Sequence, residues 1–317
     1  MRERFSLETI DAVYSSDLSR AIATARAISE THGLPINATE CLREVNVGEW
    51  EDAAWGDIRF HQPEMNVYFN SDPARWRVSG SEEYGNVRRR MFDCVSDIAK
   101  RHDGRAVAVF SHGFAIRALT CELLGLPSNK TDMVPYCDNS AVALLRYDSG
   151  RFEVEYHCDN SHLPCGSSTF ESQTWWRDEK ERKRENLRYV PFDEKRDADI
   201  FGSFSREMCS RPSGVIDFLV VLEDEPAGLL GLDVRRDSGD GVGWVSQFFL
   251  KPEFDDMEFE IQLLGQAVSE YRKLRREKLR IEADEQGPLM NFCSKYEFAK
   301  IGESGTLCVM EKFIRNW

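Results

Sequence analysis

The triplet Ser111-His112-Gly113 stands between two apolar stretches, and it constrains the local fold more than any other segment of the chain. The run 106–110 before it is typical of a buried strand, and the run 114–124 after it is typical of a helix. A strand, a sharp turn and a helix in succession form the repeating unit of an α/β sheet. His112 would then lie at the carboxyl end of the strands of that sheet, where the amides of a helix N-terminus favour an anion.

Two further segments carry side chains that suit phosphate chemistry. The stretch SSDLSRA at 15–21 opens a predicted helix, with Ser16 or Asp17 as its cap. Arg20 lies in the first turn of that helix, where a guanidinium can make two hydrogen bonds to a phosphate. Glu44 lies in the loop segment LREVNVGEWE, and a carboxyl group near a phosphate can protonate a leaving oxygen.

In the order SSDLSRA, LREVNVGEWE and VFSHG, these segments resemble the histidine phosphatase superfamily, the phosphoglycerate-mutase-like phosphatases. The resemblance covers the first half of the chain and implies a three-layer α/β domain that transfers phosphoryl groups through a phosphohistidine. It implies Arg20 as the phosphate clamp, Glu44 as the proton donor and His112 as the imidazole that stabilises charge, with Gly113 beside it. The implied partner is a small phosphorylated metabolite or another anion, and no metal or organic cofactor is required.

One element of the family pattern does not occur in these 317 residues, namely the Arg-His-Gly motif that carries the nucleophile at the end of the first strand. Two interpretations stay open. Either the native protein starts upstream of Met1, or the protein is a pseudoenzyme that holds an anion without turning it over. The first is favoured because loss of an interior strand would leave its neighbours with unpaired backbone groups. We expect little phosphatase activity from the chain as it stands.

The composition indicates a cytoplasmic protein. The 55 acidic residues outnumber the 41 basic residues, and the resulting net charge of −14 disfavours nucleic acid and anionic membranes as partners. No apolar stretch is long enough to span a bilayer, and the polar N-terminus does not resemble a signal peptide. The nine cysteines, an odd number without regular spacing, predict reduced thiols rather than a disulfide framework. The sequence does not indicate an oligomeric state.

A group of histidines and cysteines near the end of the first half raises the question of a metal. His157, Cys158, His162 and Cys165 offer zinc-ligating atoms. Their spacing fits no common zinc motif, and His162 falls in a segment that resembles the phosphatase family. We therefore predict no metal site.

The chain is predicted to comprise a phosphatase-like domain over 1–166, a charged linker over 167–186 and a second domain over 187–317. The second domain is predicted to have a mixed α+β fold. Its predicted strands cover 187–192, 217–222, 229–234, 243–250, 279–283 and 307–313. Its predicted helices cover 198–208 and 289–296, with a third that places Leu264, Ala267, Val268, Tyr271 and Leu274 on one face.

The second domain resembles the GNAT acetyltransferases over 243–254, 262–267 and 292–298. The resemblance implies acetyl-CoA as cofactor, with its pantetheine arm bonded to a splayed strand near Phe249 and Leu250. An acetyltransferase acting on acetyl-CoA is therefore one alternative function, and a non-catalytic protein built from two binding domains is another.

The chain departs from the GNAT pattern where that family binds the pyrophosphate of the cofactor. In this chain the segment that corresponds to the family's glycine-rich loop is DDMEFE at 255–260. It has carboxylates at the positions where the family's glycines let backbone amides approach the phosphates. These carboxylates would also repel the pyrophosphate. Cys293 stands where the family often has a catalytic tyrosine, and Glu297 stands where it has a turn glycine. We expect acetyltransferase activity to be impaired.

Overall fold

The computed structural model describes residues 1–164, 186–193, 195–197, 200, 215–257 and 259–314, with the backbone alone at 215 and 255–257. The chain divides into two compact units. The first comprises Met1–Glu51 and Gln62–Lys183, and the second comprises Asp52–His61 and Arg184–Trp317. The predicted linker at 167–186 and the predicted helix at 198–208 lie outside the described residues, apart from positions 186 and 200.

The first unit contains a parallel sheet in the order β2-β1-β3. Its strands are β1 (Ala12–Ser16), β2 (Ile36–Thr39) and β3 (Val107–Phe110). An antiparallel hairpin follows, formed by β4 (Val142–Asp148) and β5 (Arg151–Asp159). The helices are α1 (Arg2–Phe5), α2 (Ser19–His32), α4 (Pro63–Ser71), α5 (Tyr84–Arg101) and α6 (Gly113–Leu123). Helices serve as the connections here because parallel strands cannot be joined by tight turns.

The strand, turn and helix predicted around Ser111-His112-Gly113 are observed as β3 and α6. The predicted cap of α2 is wrong in detail. Leu18, in an extended conformation, occupies the N-cap position, and neither Ser16 nor Asp17 caps the helix with its side chain. Ser16 Oγ accepts a hydrogen bond from the Leu18 amide at 3.3 Å, one residue before the helical turn begins.

The second unit is built on a seven-stranded sheet in the order β11-β12-β10-β9-β8-β7-β6. Its strands are β6 (Leu187–Pro191), β7 (Val215–Leu222), β8 (Glu225–Asp233), β9 (Val242–Leu250), β10 (Lys278–Ala283), β11 (Ala299–Ser304) and β12 (Leu307–Phe313). The pair β9–β10 is parallel, and helix α7 (Glu260–Lys273) connects it. Helix α8 (Pro288–Lys295) follows β10. The remaining pairs are antiparallel.

Helix α3 (Trp55–His61) belongs to the second unit, although it is embedded in the sequence of the first. The Asp57 carboxylate accepts a hydrogen bond from the Tyr189 amide of β6 at 3.3 Å. Ser269 of α7 donates a hydrogen bond to the Asp52 carbonyl at 2.6 Å. These bonds connect a ten-residue segment to elements that follow it by more than a hundred positions, a relation that local sequence patterns do not encode.

Two details of the second unit differ from the sequence prediction. Strand β11 was not predicted, because nearly all of its side chains are exposed and it lacks the apolar alternation of a half-buried strand. Leu274 was predicted to lie on the buried face of α7, but it is 44% exposed because the helix ends before it. Within the described residues, no helix combines the length and apolarity that crossing a membrane requires.

The prediction of reduced thiols is wrong at one pair of cysteines. Cys137 and Cys158 form a disulfide, with their Cα atoms 4.9 Å apart. The pairing depends on an irregularity in β5 that turns Cys158 toward the loop carrying Cys137, and cysteine spacing alone cannot reveal this. Cys41, Cys94, Cys121, Cys293 and Cys308 are free thiols.

Candidate active site

The parallel pairing of β1 and β3 brings Ser16, Arg20 and His112 together. Ser15 of β1 lies opposite Phe110 of β3, so both strands end at the same edge of the sheet. His112 follows β3 directly, and its Nε2 lies 2.9 Å from Ser16 Oγ. Arg20, in the first turn of α2, donates from Nε to His112 Nδ1 at 3.2 Å. Ser16 and Arg20 are close to each other in sequence and more than 90 positions before His112, and each contacts one of its ring nitrogens.

These contacts determine the tautomer of His112. Arginine only donates hydrogen bonds, so Nδ1 must accept and Nε2 carries the ring proton toward Ser16. The residue as a whole is 7% exposed. Burial, followed by the positive charge of Arg20, lowers the pKa of His112 to about 4. His112 is therefore a neutral hydrogen-bond donor at neutral pH.

Glu44 lies at the N-terminus of α6. Its Oε1 accepts from the amides of Ala115 at 2.9 Å and Val45 at 3.0 Å, and its Oε2 accepts from the amide of Phe114 at 3.2 Å. Burial raises the pKa of Glu44 in spite of these amides and the nearby Arg20 charge. The helix amides expected to face a ligand anion are therefore bonded to a carboxylate of the chain itself, while Gly113 is exposed at the first helical position.

Sequence reasoning missed Arg90, which supports the Glu44 loop. From α5, its guanidinium donates to the carbonyls of Cys41 at 3.1 Å, Arg43 at 2.7 Å and Glu44 at 3.1 Å. It also makes a two-bond contact with the Glu82 carboxylate, at 2.7 and 2.8 Å. No sequence signal distinguished Arg90 from Arg88 and Arg89, because only the fold brings one of the three to the loop.

A second arginine ties the Glu44 loop to the end of β1. Arg43 donates from Nε and Nη2 to the two carboxylate oxygens of Asp17, at 2.7 and 2.5 Å. This contact lowers the pKa of Asp17. Asp17 therefore anchors the loop instead of capping α2.

In the second unit, Phe249 and Leu250 end strand β9. The register between β9 and β10 runs from Val242 opposite Lys278 to Val245 opposite Ile281, so it covers the first four residues of β9. The register between β8 and β9 continues to Leu250, which lies opposite Gly228. The two parallel strands therefore separate before the segment that the sequence singled out. The side chains of 255–257 and all of Glu258 lie outside the described residues.

Cys293, at the position where the sequence comparison suggested a lost catalytic tyrosine, is fully buried within α8. Burial raises the pKa of its thiol to about 12. Cys293 is therefore a core residue that stays protonated at neutral pH.

Comparison with known proteins points to one family for the first unit. The model of the histidine phosphatase superfamily (branch 1) matches residues 1–160. Phosphoserine phosphatase 1 of Hydrogenobacter thermophilus is 27% identical over 151 residues, which cover 48% of this chain and 71% of that protein. Glucosyl-3-phosphoglycerate phosphatase of Mycolicibacterium vanbaalenii is 32% identical over 122 residues, which cover 36% of this chain and 54% of that protein.

Among solved structures, Bacillus stearothermophilus YhfR is 28% identical, with a TM-score of 0.49 over 51% of this chain and 81% of that one. The matches to these relatives fall within about half of the chain. The chain in turn spans between roughly half and 71% of the two curated relatives.

Proposed function

Because the chain belongs to branch 1 of the histidine phosphatase superfamily, we propose that its first unit binds the phosphoryl group of a small phosphomonoester among Arg20, Glu44 and His112. The observation that carries the proposal is the hydrogen bond from Arg20 Nε to His112 Nδ1. It directs the Nε2 proton of His112 toward Ser16 Oγ, 2.9 Å away, and a bound phosphate oxygen would replace the serine as acceptor, beside the Nη groups of Arg20. The two curated relatives are both named as phosphatases of small phosphorylated molecules, which supports this substrate class.

Each residue then has a distinct part in phosphoryl transfer. Arg20 neutralises the charge of the phosphate, and His112 donates from Nε2 to an oxygen whose negative charge grows in the transition state. When the bond between phosphorus and the leaving oxygen breaks, protonated Glu44 gives its proton to that oxygen. The raised pKa of Glu44 suits this role, because it increases the protonated fraction near neutral pH.

The Arg-His-Gly motif, which in the family carries the nucleophile and a neighbouring phosphate-binding arginine, does not occur in these 317 residues. A histidine nitrogen would have to form a bond to phosphorus as the leaving oxygen departs, and water would then cleave the phosphohistidine. We therefore expect the chain as it stands to bind phosphate without turning over an ester efficiently. A form extended through its upstream in-frame codons is expected to be active if those codons encode the motif.

The binding part of the proposal is tested by titrating the chain with inorganic phosphate and following the His112 imidazole by NMR. Saturable binding that falls at least tenfold in Arg20→Ala is the expected result. Arg26→Ala is the matched control, because Arg26 is an exposed arginine on the same helix and lies outside the cluster. Equal affinity in the two variants would place phosphate elsewhere and overturn the proposal.

The catalytic part is tested by phosphoserine hydrolysis in the chain and in the upstream-extended form. Activity in the extended form alone, abolished in His112→Ala, would support a working phosphatase. Phosphate binding without activity in either form would support the pseudoenzyme interpretation. Robust hydrolysis by the 317-residue chain would contradict the assigned need for a further histidine.

A second candidate function, acyl-CoA binding by the second unit, is favoured by the separation of β9 from β10 beyond Val245. A pantetheine arm could bond to the strand near Phe249 and Leu250. The acidic run at 255–260 opposes pyrophosphate binding through charge repulsion. Calorimetric titration with acetyl-CoA distinguishes the alternatives: saturable micromolar binding supports an acyltransferase, and its absence leaves a two-domain binding protein.

A further inference from the structure

Two cysteines and a histidine form a separate cluster in the first unit. Cys137 lies in the loop before β4, and His157 and Cys158 lie near the end of β5. The ligand atoms of the three residues lie within 4.8 Å of one another, and all three side chains are partly exposed. Cys137 and Cys158 are joined as a disulfide, and His157 Nε2 lies 3.1 Å from Cys137 Sγ.

An irregularity of β5 explains how two consecutive residues reach the same partner. Side chains of successive residues in a regular strand point to opposite faces. Here His157 and Cys158 both lie opposite a single residue of β4, immediately before the pair of Asp159 with Val142. Cys158 has a φ of 65°, a left-handed conformation that side-chain-bearing residues rarely adopt. Such bulges redirect side chains and are frequent at functional sites.

The contacts of His157 are compatible with either neutral tautomer of its ring. Thr120 donates to the Ile116 carbonyl at 3.0 Å and can then accept from His157 Nδ1 at 3.3 Å. In that tautomer the lone pair of Nε2 faces Cys137 Sγ at 3.1 Å, and this is the form that can accept the thiol proton. Once Nε2 has taken a proton, it can donate to the Pro135 carbonyl, which lies 3.3 Å away.

We propose that Cys137, His157 and Cys158 form a reversible thiol–disulfide site that reacts with low-molecular-weight disulfides. In the reduced state, His157 Nε2 takes the proton of the Cys137 thiol. The thiolate attacks one sulfur of the small disulfide, so a mixed disulfide forms and one small thiolate leaves. The Cys158 thiolate then attacks the Cys137 sulfur and expels the second small thiolate. The protein gives up two electrons and two protons, one proton from each cysteine thiol. The two small thiolates that leave take up these protons, so the small disulfide becomes two thiols.

The surroundings of the cluster support this chemistry and distinguish it from Cys94 and Cys121. Burial lowers the pKa of His157, so the imidazole is neutral and able to accept a proton at neutral pH. Burial raises the pKa of Cys94 to about 11 and also raises that of Cys121, which keeps those thiols protonated. The inference does not depend on phosphate binding, since it uses none of Arg20, Glu44 and His112.

The test starts from the fully reduced chain, freed of reductant and exposed to oxidised glutathione at pH 7. Samples quenched with an alkylating agent are then analysed by peptide mass spectrometry. We expect Cys137 and Cys158 to become a disulfide that reduced glutathione opens again. In Cys158→Ser, a glutathione adduct should accumulate on Cys137. In Cys137→Ser, Cys158 should react roughly tenfold more slowly, because His157 Nε2 lies against the sulfur of residue 137, at 3.1 Å.

The pH profile separates a base from a merely structural histidine. In Cys158→Ser, the additional change His157→Gln should slow adduct formation at pH 7 by roughly tenfold. The difference should disappear near pH 9.5, where the thiol ionises unaided. Cys41→Ser is the control, since Cys41 is an exposed thiol outside the cluster, and it should leave the rate at Cys137 unchanged.

Three results would overturn the proposal. These are equal reactivity of Cys137 and Cys158, a constant effect of His157→Gln across the pH range, or tight one-to-one zinc binding by the reduced chain that protects both thiols from alkylation. The last result would assign the cluster to a metal instead.

Discussion

Arg20 and His112 are 92 positions apart in sequence, and the guanidinium of the first donates to Nδ1 of the second at 3.2 Å. The contact places a permanent positive charge against an imidazole that is almost completely buried. It adds to the effect of burial, the larger cause, in keeping His112 neutral, and it directs the one ring proton toward Ser16. The electrostatic character of the candidate site follows from this pair.

Removing the positive charge at position 20 should raise the pKa of His112. In Arg20→Ala we expect the pKa to move upward from about 4 but to remain below 6.5, because burial is the larger cause of its depression. An NMR titration of the His112 ring measures the change. Arg26→Ala should leave the titration where it is. A pKa that stays the same or falls in Arg20→Ala would show that the charge of Arg20 does not act on this ring.

The first unit should lose stability as the pH falls from about 6.5 to about 4. The pKa of His112 is depressed to about 4 in the folded protein, so in this range the unfolded chain binds more protons. The contribution of neutral His112 to the free energy of unfolding is fully present above pH 6.5. Acidification to pH 4 removes about 3 kcal/mol of it, for a pKa shift of this size.

Denaturant unfolding at several pH values measures the free energy of unfolding of the native protein and of His112→Asn. Between pH 6.5 and 4 this free energy should fall less steeply in the variant. The raised pKa of Glu44 gives the free energy of unfolding a pH dependence of opposite sign. This contribution is the same in both proteins and cancels when their pH dependences are subtracted. Identical slopes in the two proteins would contradict the assignment to His112.

Arg90 should be required in its arginine form. Arg90→Lys removes the planar fork that reaches three carbonyls of the Glu44 loop and both oxygens of Glu82, and a single ammonium cannot replace it. We expect a loss of about 1–3 kcal/mol in the free energy of unfolding, as for buried groups left without a partner. Arg89→Lys, at an exposed neighbouring position, should have little effect on the same measurement. Comparable losses of unfolding free energy in both variants would contradict the specific role assigned to Arg90.

In the second unit, Gly243 should not tolerate a side chain. A Cβ at this position would lie 2.4 Å from the ring of Tyr271, whose hydroxyl is bonded to the Trp244 backbone. Gly243→Ala should therefore destabilise this unit by about 1–3 kcal/mol. Gly265→Ala is the control, because that glycine lies within α7 with open space around it, and alanine there should stabilise by up to about 1 kcal/mol. Thermal unfolding compares the two. A neutral Gly243→Ala would mean that Tyr271 moves at little cost.

Local signals in the sequence were sufficient to predict several helices and strands. The apolar run before His112 and the run after it predicted β3 and α6, and the apolar runs at 217–222 and 229–234 predicted strands that are observed as β7 and β8. Such elements are read from a few consecutive residues, because burial of one face and the conformations of turns follow from neighbouring side chains. Arg20, Glu44 and His112 were selected together through a family pattern in the sequence.

Contacts between groups far apart in sequence follow from the tertiary fold and could not be predicted from local patterns. Arg90 rather than Arg88 or Arg89 reaches the Glu44 loop, and the bulge at His157 and Cys158 creates the contact with Cys137. The amides at the start of α6 are bonded to Glu44, where the sequence predicted an open anion site. The physical reason is common to these cases: hydrogen bonds and disulfides depend on distances of a few ångströms between segments many residues apart. Strand register and helix packing set those distances, and no local pattern records them.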